Sequence, residues 1–179
     1  MRQQLSQKGF TLIELLIYVA IFATMIGAVV GLALGASAER INSQVVSDLN
    51  YQGEATIALM TQTIRQAGQV TAPTAGNSSS GLQLTMANAA VNPTTFTAVN
   101  DGTTNRLQIG EGSPAVTSQL TNGRVTVSSL VFSNMSLAGS KGSVLIKLTL
   151  KYRTNSNRRE VQYSKTFYGA ATIPGVATP

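Results

Sequence analysis

Hydrophobic and polar positions divide the chain into three textures. From Leu15 to Ala38 roughly 24 residues pass without a charge. As a helix rising about 1.5 Å per residue, such a run crosses the roughly 30 Å apolar core of a bilayer. From Glu39 the style changes. Ile41, Val45, Leu49, Ile57, Met60 and Ile64 are spaced by threes, fours and one double step past Gly53, the period of an amphipathic helix. One stripe then faces a folded head while Gln44, Gln52 and Gln62 face water or neighbouring chains. Gly68 reads as the C-terminal cap, with Pro73 just beyond. A single helix from Phe10 to Ala67 would run roughly 87 Å, longer than any small domain, so its first half must find company elsewhere.

After a loop rich in Thr, Pro, Gly, Asn and Ser from Thr71 to Ser80, period-two runs take over. They are Leu82 to Met86, Thr94 to Val99, Arg106 to Ile109, Arg124 to Phe132, Val144 to Tyr152 and Glu160 to Phe167. In the fifth, Val144, Ile146, Leu148, Leu150 and Tyr152 share one face, as a half-buried strand requires. Thr154 to Asn157 reads as the turn to an antiparallel partner in which Val161, Tyr163, Lys165 and Phe167 alternate. The expected class is α+β: a long N-terminal helix whose second half carries an antiparallel sheet, followed by a patternless tail from Ile173 to Pro179.

Composition narrows the function. Charged residues are 11% and hydrophobic ones 43%, the texture of an exported, β-rich protein. There is no Cys for staples, thiolates or metal ligands, and no His for acid-base work. No P-loop, dinucleotide fingerprint or metal-ligand spacing is present. Neither an enzyme nor a cofactor is expected.

Glu14 is the unusual group, because a carboxylate at the edge of an apolar segment costs a few kcal/mol unless something pairs with it. Proteolysis between Gly9 and Phe10 would create an ammonium four residues before it. A short basic leader (Arg2, Lys8) ending in Gly9, then Phe10-Thr11-Leu12-Ile13-Glu14-Leu15-Leu16 and a long apolar helix, resembles the type IV prepilins and type II secretion pseudopilins. The resemblance covers Lys8 to about Ala38. It implies a pilin-like fold, cleavage by a prepilin peptidase between Gly9 and Phe10, and N-methylation of Phe10. It also implies that Glu14 attracts the amino terminus of an adjacent subunit, on an assembly platform in the cytoplasmic membrane. Domains are then expected as a leader (1–9), a transmembrane and assembly helix (10–38), an amphipathic helix (39–69) and a β-rich head (70–179), the head outside the cell and finally in a pilus or pseudopilus. Met60 to Val70 is also similar to the helix end of minor, J-type pseudopilins, which points to a minor, initiating subunit.

Other readings stand beside this one. Thr11 and Glu14 form a capping box on their own account. Ala36-Ser37-Ala38 has the small-x-small form of a signal peptidase site, although the apolar run exceeds the usual signal length. A plain membrane anchor explains the length alone. Gly27, Gly31 and Gly35 lie on one helix face, either to let backbones approach or because glycine is common in membrane helices.

In the head, Asp101, Glu111 and Glu160 are the only carboxylates, far apart in sequence. Asp101 to Asn105 reads as a turn closed by its own Asp side chain. Beyond Val70 nine Lys or Arg face those three acids, and six of them, Lys147, Lys151, Arg153, Arg158, Arg159 and Lys165, fall on the expected final hairpin with Tyr152 and Tyr163. Such a patch either attracts DNA phosphates, as in a competence-type pilus, or consists of lysines that keep a sheet edge from pairing.

Overall fold

The structure, a computed structural model, describes residues 11–137, 140–153 and 163–174, and leaves aside the side chains of residues 38 and 41. Leu12–Gln66 form one α-helix, α1. No proline interrupts it, and Thr11 starts it: the Thr11 hydroxyl accepts the Glu14 N–H at 3.4 Å and the Thr11 carbonyl accepts the Leu15 N–H at 3.2 Å. The chain divides into two compact units, Met1–Ile41 and Asn42–Pro179. In the first unit the apolar side chains of α1 stand exposed from Leu12 to Leu34.

In the second unit the amphipathic stripe does what its spacing predicts. Val45, Leu49, Met60 and Ile64 are buried and Ile57 is half-buried against the same core. Each fully buried side chain of this kind contributes roughly 1.5–3 kcal/mol, so the stripe holds this part of α1 in place. Gln44 and Gln62 are exposed. Gln52 differs from the expectation: it is half-buried, and its side-chain oxygen accepts the Asn122 N–H at 3.1 Å.

The helix ends at Gln66, and Ala67–Ala72 is already a strand, β1, where a helix cap and loop were expected. Gly68 weakens the helix, and the Val70 N–H finds a partner in the Lys141 carbonyl at 3.2 Å, outside any helix. The remaining strands are β2 (Ser78–Ser79), β3 (Leu82–Met86), β4 (Thr94–Asn100), β5 (Asn105–Glu111), β6 (Val116–Gln119), β7 (Val125–Asn134), β8 (Ser143–Tyr152) and β9 (Ser164–Thr172).

These strands make two antiparallel sheets, not one. The first has the order β1-β3-β4-β5-β6 and the second β2-β7-β8-β9. The chain leaves the first sheet at β2 and returns at β3, a crossover that no local pattern announces. Both sheets line one core. Leu84, Phe96 and Leu107 come from the first, and Phe132, Ile146 and Leu148 from the second, all with no exposed surface. The Phe96 and Phe132 rings join the layers, their centroids 6.5 Å apart. The predicted inward face of β8 is correct: Val144, Ile146, Leu148 and Leu150 are buried and Tyr152 is partly so.

Two glycines permit close approach. A Cβ at Gly53 would overlap the Phe167 ring, so the gap in the helical stripe is the seat of an aromatic side chain from β9. Gly142, at φ +146°, sits where a Cβ would strike Val70. Its carbonyl accepts the Ile173 N–H at 2.9 Å. Ile173 is therefore docked and only 3% exposed, contrary to a frayed tail beginning there. The expected turn at Thr154 to Asn157 lies outside the described residues, and the final strand runs later than predicted, to Thr172.

Candidate assembly segment and head surfaces

Arg2, Lys8, Gly9 and Phe10 lie outside the described residues. The described part of the N-terminal segment starts with Thr11 and Glu14, which engage each other: besides accepting the Glu14 N–H, the Thr11 hydroxyl approaches Glu14 Oε2 at 3.5 Å. The Thr11 half of the expected cap is thus formed, with Glu14 meeting the Thr11 hydroxyl, and Glu14 is an exposed residue. Farther on, the hydroxyls that would otherwise burden an apolar helix are satisfied internally. Thr24 donates to the Ile21 carbonyl at 2.7 Å and Ser37 to the Ala33 carbonyl at 2.8 Å. Gly27, Gly31 and Gly35 have nothing within 4 Å of where a Cβ would stand. This helix therefore presents an apolar exterior with one strip bare of side chains, which suits lipid and close backbone neighbours.

Of the described head carboxylates, Asp101 precedes β5 and Glu111 lies at its far end. Asp101 accepts the Thr103 hydroxyl at 2.7 Å, the Thr103 N–H at 2.9 Å and the Thr104 N–H at 2.8 Å, and meets Arg106 Nε at 2.7 Å. These donors, the Thr103 hydroxyl first, hold its carboxyl well below the ordinary carboxylate range. It is a closed turn whose lone pairs are already used. Glu111 ends β5, and Glu160 lies outside the described residues. Among the described residues no three His, Cys, Asp or Glu side chains converge.

Among the described residues, the cations expected on the final hairpin do not form one patch. Lys147 and Lys151 are exposed on the outward pleat of β8, a central strand flanked by β7 and β9. Lys165 pairs with the buried Leu150 and so takes the inward pleat. Its Nζ donates to Asn50 Oδ1 at 2.7 Å and stands 5.2 Å from the centre of the Phe167 ring. Lys165 is an anchor between β9 and α1, not part of an outward patch with Lys147 and Lys151. Arg153 is exposed and its N–H donates to the Arg124 carbonyl at 2.7 Å, while Arg158 and Arg159 lie outside the described residues. Tyr168, unnoticed in sequence, stands 65% exposed directly across from Lys147. Its signal was available in the register: two residues along from Thr166 on the outer pleat, it had to share a face with Lys147. A shallow, open groove beside α1, lined by Tyr51, Ala55, Thr56 and Leu120, carries no ionisable group other than the Tyr51 phenol.

The family model described as "Prokaryotic N-terminal methylation motif" matches residues 5–36. No curated protein and no solved structure matches the chain.

Proposed function

Starting from a chain that carries the prepilin-type N-terminal methylation motif of type IV prepilins and pseudopilins, we propose that it is a structural, non-enzymatic subunit of a pilus or secretion pseudopilus, of the minor, initiating kind. The motif implies a membrane-anchored precursor, processing by prepilin peptidase and assembly with other pilin subunits. The observation that carries the reading is the coincidence of that motif with an exposed apolar helix. None of residues 12 to 34 is buried in the isolated chain, and Leu12 and Leu32 are each at least three-quarters exposed. Surface of this size stays in lipid or is covered by like helices.

In this reading cleavage between Gly9 and Phe10 yields an N-methylated ammonium at Phe10. Glu14 of a neighbouring subunit attracts it, because opposite charges attract strongly in a low-dielectric medium when both are present and close. Gly27, Gly31 and Gly35 then set how near the helices come. Residues 1–9 are the leader, 10–38 the membrane and assembly helix, 39–69 the segment joined to the head, and 70–179 the head, displayed outside. The assembly platform in the cytoplasmic membrane is the expected inner partner. A DNA-capturing role is the second reading, supported by Lys147, Lys151 and the exposed Tyr168 on one acid-free sheet face.

Intact mass of the protein from producing cells, with Glu14→Ala beside the parent, tests the main reading. A mature chain beginning at methylated Phe10 is expected, and Glu14→Ala should insert in the membrane yet fail to enter filaments. A polymer that retains residues 1–9, or unchanged incorporation of the variant, refutes it.

A further inference from the structure

Among the described residues, strand β9 has β8 on one side and no strand on the other. Hydrogen bonds at both ends of this ladder fix which residues face β8. The Tyr152 N–H donates to the Tyr163 carbonyl at 2.8 Å, and the Ile173 N–H to the Gly142 carbonyl at 2.9 Å. Between these ends the register is unbroken. Backbone groups alternate in an antiparallel ladder, so Lys165, Phe167, Gly169 and Ala171 bond to β8. Ser164, Thr166, Tyr168, Ala170 and Thr172 turn their N–H and C=O groups outward. Among the described residues these groups have no partner.

The same reasoning applies to β6, the end of the other sheet. The Leu120 N–H donates to the Leu107 carbonyl at 2.8 Å, in register with the β5–β6 pairing, so Thr117 and Gln119 turn their backbone groups outward. At the opposite end of that sheet the edge is engaged, because Val70 of β1 bonds to Lys141.

Exposed edges are normally guarded by charge, proline, a bulge or a cover. The one charged side chain of β9, Lys165, is turned inward onto Asn50, and β9 has neither proline nor bulge. Every residue of β6 is exposed, and no charge occurs between Glu111 and Arg124. Among the described residues, then, the chain carries two edges on different sheets with no outward charge of their own; the Arg106 guanidinium that reaches Gln119 of β6 at 2.6 Å is itself paired with Asp101.

We propose that β6 of one copy adds to the β9 edge of the next, extending the four-stranded sheet of one head with the five-stranded sheet of its neighbour. Pairing of unlike edges leaves a free β9 and a free β6 at the two ends, so the contact propagates, whereas β9 on β9 would close a dimer. Val116 and Tyr168, 71% and 65% exposed, lie along these edges and lose exposure on pairing. The inference rests on the assembly reading in that copies of this chain must meet; a subunit present once at a tip would not meet its like, so the cross-link also tests the minor, initiating role.

The chain has no cysteine, so introduced pairs report without background. In membranes of producing cells, full-length chains bearing Thr117→Cys or Gln119→Cys are co-expressed with chains bearing Thr166→Cys, Tyr168→Cys or Ala170→Cys and oxidised. A disulfide between β6 and β9 cysteines in one register is expected, growing to a ladder of higher species when both cysteines are in one chain. Ala170→Pro in the β9 chain removes an outward N–H while sparing the β8 ladder, and should abolish the cross-link without changing the circular dichroism. If the proline variant does not fold, Ala170→Lys serves in its place. No β6–β9 cross-link in any pairing, cross-links only between like edges, or cross-linking unaffected by the edge variants overturns the proposal. Filament entry that depends on Glu14 in the same cells leaves the assembly reading standing on its own.

Discussion

Gly53→Ala should destabilise the head, although the same change in an ordinary helix interior stabilises by about 1 kcal/mol. Gly53 is buried in α1, and a Cβ there would overlap the Cε1, Cε2 and Cζ atoms of Phe167. The ring cannot yield freely: it is 7% exposed and part of the core, with the Lys165 ammonium 5.2 Å from its centre. Overpacking of this kind typically costs 1–3 kcal/mol, about the range expected here before the helix gain is subtracted. The net effect is then a loss of about 0–2 kcal/mol, towards the upper end because the overlap is with a ring held in the core. Phe167→Leu should absorb the overlap, so the double variant should lose less than the sum of the singles. Urea unfolding of the full chain in detergent, followed by the near-ultraviolet signal of its five tyrosines, measures both quantities, and no tryptophan obscures it. A Gly53→Ala protein more stable than the parent, or additive singles, would refute the claim that Phe167 occupies the missing side chain's place.

Two further outcomes follow from the head. Because donors hold the Asp101 carboxyl below its ordinary value of 3.8, its contribution is complete above that value and disappears as pH falls below it towards the folded-state value. Asp101→Asn should therefore remove part of the stability loss seen below pH 4 in urea titrations, and identical acid profiles for variant and parent would contradict this. If the outward face of β8 captures DNA, Lys147→Ala with Lys151→Ala should weaken binding uniformly across sequences and reduce the salt slope by about two. No binding of the parent at low salt removes that second reading.

The boundary between sequence and tertiary structure follows from the range of the forces involved. The exposed helix, its cap at Thr11 and Glu14, the buried stripe of Val45, Leu49, Met60 and Ile64, and the inward face of β8 were all legible. Each is a local period set against one solvent or one core, and the motif around Gly9 and Glu14 is a contiguous string. β1 and β6 were not legible. β1 buries Ala67 and Val70 three apart, out of step with a strand, and β6 buries nothing. Backbone hydrogen bonds to distant segments hold both, and such bonds leave little trace in side-chain pattern. The division into two sheets and the use of Gly53 as a seat for Phe167 likewise depend on pairs more than a hundred residues apart or on chain crossover. Lys165 makes the same point for function: composition counts it with the other cations, and only the pleat of β9 against α1 turns it away from them.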